Sequence, residues 1–368
     1  MKLGFFIMPV HPPGRNYAQT LREDREAFIL ADKLGYSEGF CGEHLTDRAE
    51  NIPSSLTFVA SLAGSTSRIK LGTAVANLPF SHPLLIATQA ALVDNLLEGR
   101  LLLGIGAGIL RTDMEAMELL DADRNAMFAE AIDHILALWT GEPPYNLSGK
   151  FWNISTAKTL WPEIGLGGVV KPYQQPHPPI LGTATDPLSK GLVALGRRGW
   201  WPISSHFLHP NWLLSQWGQY AKGCAEGGQR ADRANWRVAR SIFVADDDKT
   251  ARAYGGDDPK SPYRFYMNQL TAKLKKGNKL GGFKESDAMA DSRLTLDYIF
   301  DNVVIRGDVS RVVDALLALK EKIGDFGTLL YCGKDWADPA LSRRSMELMA
   351  EKVMPAINAS IGKPIAAE

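Results

Sequence analysis

A chain of 368 residues, 45% hydrophobic and 22% charged, can bury a large core, and its 41 basic side chains are balanced by 41 acidic ones. That balance leaves no field to draw nucleic acid or an anionic membrane surface, so the expected partner is a small molecule. Cys41, Cys224 and Cys332 are scattered without a CxxC pair, which argues against a disulfide framework or a structural zinc site and fits a reducing, cytoplasmic setting. No run of about 20 apolar residues is present to span a membrane. The apolar start Met1-Lys2-Leu3-Gly4-Phe5-Phe6-Ile7 is too short for a signal peptide before Pro9, Pro12 and Pro13.

Short apolar runs alternate with helical periodicity, the pattern of βα units feeding a parallel sheet. Residues 3–8 read as a first strand, and 17–34 as a helix with Leu21, Phe28, Leu30, Ala31 and Leu34 at helical spacing, stopped by Gly35. Residues 37–42 are a second strand, 54–64 a helix capped by Ser54 and Ser55, and 69–77 a third strand. Helix 82–97 closes at Glu98-Gly99-Arg100, with His82 as its cap before Pro83. The nearly all-apolar 101–106 is a strand buried on both faces. A broken helix over 114–139 leads into 145–179, a stretch rich in Gly, Pro and aromatic residues that is too long for an ordinary connection and reads as a functional insertion. Strand 180–182 and helix 188–197 follow, then strand 200–203, helix 212–227 and strand 236–244. A second insertion, 254–295, carries Lys273-Leu274-Lys275-Lys276, expected as a solvated face. Helix 309–323, strand 328–331 and helix 341–357 end the series. The whole predicts one α/β domain over 1–368, a (β/α)8 TIM barrel with both insertions at its C-terminal mouth, where they would serve as lids.

Gly104-Ile105-Gly106-Ala107-Gly108 is a partial dinucleotide fingerprint. Ile109 stands where the third glycine should be, and the motif follows the fourth strand instead of the first. Small residues there are better explained by a backbone passing under a flat ring at a barrel mouth. No metal site is expected: Glu43-His44, His206 and His209 have neither HExxH spacing nor cysteine partners. No Gly-x-Ser-x-Gly elbow is present to carry acyl transfer.

Several segments, in order, resemble the bacterial-luciferase-like flavin monooxygenases. They are Gly42-Glu43-His44, Leu71-Gly72-Thr73-Ala74-Val75, Leu78-Pro79, His82-Pro83, Leu97-Glu98-Gly99-Arg100, the glycine tract at 104–108, Ala137-Leu138-Trp139-Thr140-Gly141 and Pro178-Pro179-Ile180. Pro162-Glu163-Ile164-Gly165 and the stretch Asp325 to Tyr331 are most similar to the limonene monooxygenase-like subgroup. The resemblance implies reduced FMN at the barrel mouth, cradled by Thr73, Ala74 and Val75 with a cis Ala74–Val75 bond, and by Gly106. Asn77 would either pair with the flavin's pyrimidine edge or stabilise a turn. The phosphate is expected where strand five turns into its helix, at Thr185 and Ser189, which are equally helix caps. Some relatives carry an arginine at the position of Ala107; here Lys190 or Arg111 would have to meet that charge.

His44, just past a strand's C-terminal end, is the expected catalytic group, since histidine titrates near neutrality. Met8, Trp152, His206 and Phe207 are the expected substrate pocket, with His209 beside them; surface positions are the alternative for the two loop histidines. The implied reaction is oxygenation of a small, cyclic organic substrate by dioxygen held as a flavin C4a-peroxide, in a homodimer fed by a separate NAD(P)H-dependent flavin reductase. Deazaflavin-dependent hydride transfer and a non-catalytic flavin-binding barrel are the alternatives. Segments 56–62 and 86–97 would supply the dimer contact or belong to the core.

Overall fold

The computed structural model describes residues 1–8 and 10–361. Eight parallel strands close on themselves: β1 Lys2–Ile7, β2 Glu38–Cys41, β3 Lys70–Thr73, β4 Leu101–Gly106, β5 Ile180–Ala184, β6 Trp201–Ser204, β7 Arg237–Val244 and β8 Thr328–Cys332. Each pairs with the next, and β8 returns to β1 with Phe5 opposite Tyr331, so the barrel leaves no open edge. Around it run α1 Tyr17–Lys33, α2 Ser55–Ala60, α3 Pro83–Leu96, α4 Arg124–Thr140, α5 Lys190–Arg197, α6 Leu213–Glu226, α7 Pro262–Lys276 and α8 Val309–Ile323. Side-chain caps start the early helices: Asn16 accepts from the Gln19 N–H, Ser54 from Thr57, and His82 from Leu84 through Nδ1.

Strand periodicity divides the core. Phe6, Phe40, Leu102, Leu181, Ile203, Ala239 and Leu330 fill the barrel interior, while Phe5, Ile7, Leu71, Leu101, Leu103 and Val238 point outward into the larger cluster shared with the helices. Burial on both faces is why Leu101-Leu102-Leu103 carries no alternation. At the N-terminal end an ion pair plugs the barrel. Arg237 Nε and Nη2 donate to the two Glu38 carboxylate oxygens at 2.9 and 3.0 Å, and the guanidinium lies over Trp201, 4.5 Å from its centroid. The interior is therefore closed below and built upon only at the C-terminal mouth.

Three departures from the sequence reading bear on function. The first insertion is not at the mouth. It joins α4 to β5, so chain polarity carries it along the outside of the barrel toward the N-terminal end. It holds the hairpin Asn146–Ser148 and Asn153–Ser155. The Glu130 carboxylate of α4 fixes that hairpin by accepting from the N–H groups of Lys150, Phe151 and Trp152. Farther on, Lys171 Nζ donates to the carbonyl of Leu138 at 2.9 Å, and Gln174 binds Asp94 and the Leu101 carbonyl.

The second insertion follows β7 and does cover the mouth. Its longest element is the helix α7, which the Gly-rich turns around it masked in the sequence. Beyond it, Val304–Gly307 forms an outer strand beside β7, with Ser241 opposite Val304, in a stretch left unassigned by the sequence. Finally, strand three stops at Thr73, breaks at a cis Ala74–Val75 bond, as the resemblance implied, and resumes as Ala76–Asn77 against Ile105 and Gly106.

Candidate active site

The mouth is assembled first by backbone. Thr73 Oγ1 donates to the Gly104 carbonyl at 2.6 Å, so its side chain is spent on joining β3 to β4 and only its main chain is left for a ligand. A Cβ on Gly104 would stand 2.0 Å from the Thr73 carbonyl oxygen, and one on Gly106 would stand 2.4 Å from Val75 Cγ2. No side chain fits at either position, and the glycine tract is thereby explained without a dinucleotide. Asn77 pairs with Gly106 in register, and its N–H and Nδ2 donate to Glu43 Oε1 at 2.9 and 3.2 Å. Glu43 Oε2 in turn accepts from the N–H and Oγ of Ser55 at the start of α2, so this carboxylate ties β2, β3 and α2 together.

His44 stands on this side, half-buried, its ring held between two buried acids. Its Nδ1 is 2.9 Å from Asp113 Oδ2 and its Nε2 is 2.9 Å from Glu50 Oε2. Burial alone would lower its pKa, but the hydrogen bonds and charges of Asp113 and Glu50 raise it to about 10. The expectation of a histidine titrating near neutrality is corrected accordingly: His44 is a held imidazolium with both N–H groups engaged. Asp113 also accepts from the N–H and Oγ1 of Thr46. Lys273 of α7 reaches Glu50 at 3.3 Å and also pairs with Asp47. One member of the basic run is thus half-buried and anchored by acids, whereas Lys275 and Lys276 lie on the exposed face.

The opposite wall is built from β6, β8 and α7. His206 is 2% exposed, packs on Phe6 and Phe207, and lies with Nε2 2.5 Å from the Tyr266 hydroxyl. Its Nδ1 has no partner. Burial, with Lys334 and Arg240 nearby, pushes its pKa well below the ordinary value, so this histidine is neutral. Lys334, two residues past β8, is 6% exposed, and its ammonium sits 3.7 Å from the Tyr266 ring centroid. Met8 lies on the same rim, its sulfur against Gly42.

Along the sequence, residues 1–325 match the family of luciferase-like monooxygenases. The chain belongs to that family. It is 32% identical over 370 residues to 4-hydroxyprotoasukamycin monooxygenase of Streptomyces nodosus subsp. asukaensis, covering 98% of this chain and 93% of that one. It is 29% identical over 360 residues to limonene 1,2-monooxygenase of Rhodococcus erythropolis, covering 98% and 87%. In structure it superposes on the FMN complex of the oxygenating constituent of 3,6-diketocamphane monooxygenase from Pseudomonas putida, a type II Baeyer-Villiger enzyme. There the TM-score is 0.87 at 27% identity, covering 97% of this chain and 98% of that one.

In this luciferase-like monooxygenase the remaining expected residues fall into place unevenly. Ser189 is the N-cap of α5, but its hydroxyl makes no capping bond and stays free, and Thr185 lies half-buried on the loop before it. Beside the neighbouring β4 loop the sequence reading missed Arg124, the first residue of α4. Its guanidinium donates to the carbonyls of Ala107 and Gly108 at 3.2 and 2.6 Å, it has no carboxylate partner among the described residues, and Nε is unpaired. It reaches the very loop where the side chain of Ala107 offers no charge. Thr183 Oγ1 and Ser241 Oγ, on the inward faces of β5 and β7, are also buried without partners.

Trp152 does not join the pocket. It sits in the turn of the first insertion's hairpin, where its carbonyl accepts from His134 of α4 at 3.1 Å. Phe207 packs mainly into the core beneath the second insertion, against Phe283, and His209 stacks on Tyr298. One acidic cluster near the mouth, His11 with Glu23 and Asp335, has ligand-like spacing. Arg15 closes it, donating to Glu23 at 2.7 Å and to Asp335 at 2.6 Å.

Proposed function

We propose that the protein is the oxygenase component of a two-component system, receiving reduced FMN from a separate NAD(P)H-dependent reductase and using dioxygen to oxygenate a small cyclic organic substrate. The observation that carries this reading is the set of polar groups left with bonding capacity on the β4 and β5 side of the mouth. Thr183 Oγ1, the Ser189 hydroxyl and Arg124, whose guanidinium meets two carbonyls but no carboxylate among the described residues, lie beside a floor that Gly104 and Gly106 keep free of side chains. A phosphorylated planar ligand answers all of these at once: Ser189, the first N–H groups of α5 and Arg124 would hold the phosphate, and the glycine floor with Ala74 and Val75 would carry the ring. When bound, the reduced flavin supplies the electrons that activate dioxygen.

The chain's own residues then have separate tasks. His44 is proposed as a positioning residue beside the reacting centre. Its imidazolium is matched by Asp113 and Glu50, so it acts by fixing the loop after β2 and the acids around it. Phe6, Met8 and Phe207 exclude water on the far wall. Leu85, Leu92 and Leu96, each at least half-exposed at helical spacing on α3, form an apolar stripe suited to pairing with a second copy.

Fluorescence titration with FMN, riboflavin and a deazaflavin, followed by oxygen uptake with photoreduced FMN, tests the reading. Tight FMN binding with oxygen consumption is expected. Binding of the deazaflavin alone would reject it in favour of hydride transfer.

A further inference from the structure

Charges buried without partners are the groups whose purpose a fold leaves unexplained. Lys334 is such a group. Among the described residues it makes no ion pair and no hydrogen bond, although the residue is only 6% exposed and its ammonium carries three N–H donors. The charged or ionisable groups nearest it are otherwise engaged or of the wrong kind. Glu50 is committed to His44 and Lys273, Cys332 is a buried thiol, and Arg240 is a cation bound to the carbonyls of Leu208 and Val303. The Tyr266 ring under the ammonium offers a π face, which attracts charge but accepts no full hydrogen bond.

The neighbouring histidine has the same deficiency. In a neutral imidazole only one nitrogen carries a proton. Among the described residues the Tyr266 hydroxyl has no acceptor other than His206 Nε2; donating there puts the imidazole proton on Nδ1, the atom without a partner. Two donors, one charged and one neutral, therefore flank the same tyrosine at the C-terminal ends of β6 and β8, and neither has an acceptor among the described residues. β8 lies across the barrel from β4, and β6 follows β5 on the way round to it, so a flavin seated over β3 to β5 leaves this side of the mouth to the second reactant.

We propose that Lys334 and His206 together recognise an acceptor oxygen on the substrate, which makes the substrate a ring compound bearing a ketone or enolic oxygen and not a plain hydrocarbon. This rests on the reading of the mouth as a flavin-dependent oxygenation site. It distinguishes the chain from a relative named for the hydrocarbon limonene and aligns it with one named for a diketone. It also gives Tyr266 a positioning role, holding the imidazole tautomer while its ring supports the ammonium.

Equilibrium binding tests this without turnover. The protein is saturated with FMN and titrated with 4-nitrophenol and with nitrobenzene, the same ring lacking the oxygen. 4-Nitrophenol is expected to bind about 10- to 100-fold more tightly, with its phenolate absorbance persisting to lower pH than in free solution because the ammonium favours the anion. Cyclohexanone should displace the dye and cyclohexene should not. Lys334→Met should abolish the preference and the absorbance shift while leaving the affinities for FMN and nitrobenzene in place, and His206→Phe should reduce the preference. Equal binding of the two dyes by the wild-type protein, or equal displacement by ketone and alkene, would overturn the proposal whether or not any variant folds. Retention of the preference in folded Lys334→Met would overturn it as well. Failure of the wild type to bind FMN would instead overturn the flavin reading beneath it.

Discussion

His44 and His206 stand on opposite walls of one mouth, the first half-buried and the second buried, and are held in opposite protonation states. On the first wall every charge is matched: Asp113, His44, Glu50 and Lys273 form a continuous chain that ends in the lid helix α7. On the second wall His206 and Lys334 share an aromatic neighbour and have no acid to answer them. Burial disfavours the cation in both places; the partners decide whether it survives. The contrast teaches that a mouth histidine's role follows from the carboxylates around it, so His44 serves as permanent charge and His206 as a neutral donor.

The largest expected effect comes from breaking the matched wall. His44→Ala would leave Glu50 and Asp113 buried without their cation, and should cost about 3 to 5 kcal/mol in guanidinium-chloride unfolding. A loss below about 1 kcal/mol would mean that water or Lys273 already satisfies the acids. The two histidines should next separate by pH. His44 has a folded pKa of about 10 against an ordinary 6.5, so its contribution is fully present below 6.5 and is lost as pH rises through about 10. His206 has a depressed folded pKa, so the unfolded chain takes up the extra proton and stability falls as pH drops below 6.5. Unfolding midpoints measured from acid to alkaline pH should lose part of their acid-side slope in His206→Phe, the rest belonging to His209 and the lowered carboxylates, and part of their alkaline slope in His44→Gln.

A smaller effect is expected at the phosphate end. Arg124→Met should weaken FMN binding by about 1.5 to 3 kcal/mol while leaving riboflavin, which lacks the phosphate, unchanged in the same titration. Equal losses for both ligands would place Arg124 in loop structure alone. Least of all, Lys273→Met should cost no more than about 1 kcal/mol, because the lysine is partly exposed. Its sign would be faster amide exchange in α7, detected by mass spectrometry.

Much of the barrel was legible because its signals are local. Alternating strand and helix periods, the caps at Ser54 and His82, and the glycine tract each express themselves within a few residues. The position of the first insertion was legible too: it falls after a helix and before a strand, which assigns it to the end opposite the mouth. Its aromatic richness drew Trp152 into the pocket against that simple parity. What lay out of reach was pairing at long range. Nothing beside His44 in the sequence announces Asp113, nothing beside Lys334 announces Tyr266, and Arg124 reaches Ala107 from a separate helix. The outer strand Val304–Gly307 was hidden because four residues carry too little pattern to stand against the helix that precedes them.

The Glu38 and Arg237 plug has a further consequence. A vessel sealed at its base has a single doorway, and whatever enters must leave the same way. That doorway lies beneath α7, whose Lys273 pairs with Glu50 on one wall and whose Tyr266 meets His206 on the other, so any shift of the helix wide enough to admit a ligand disturbs both walls at once.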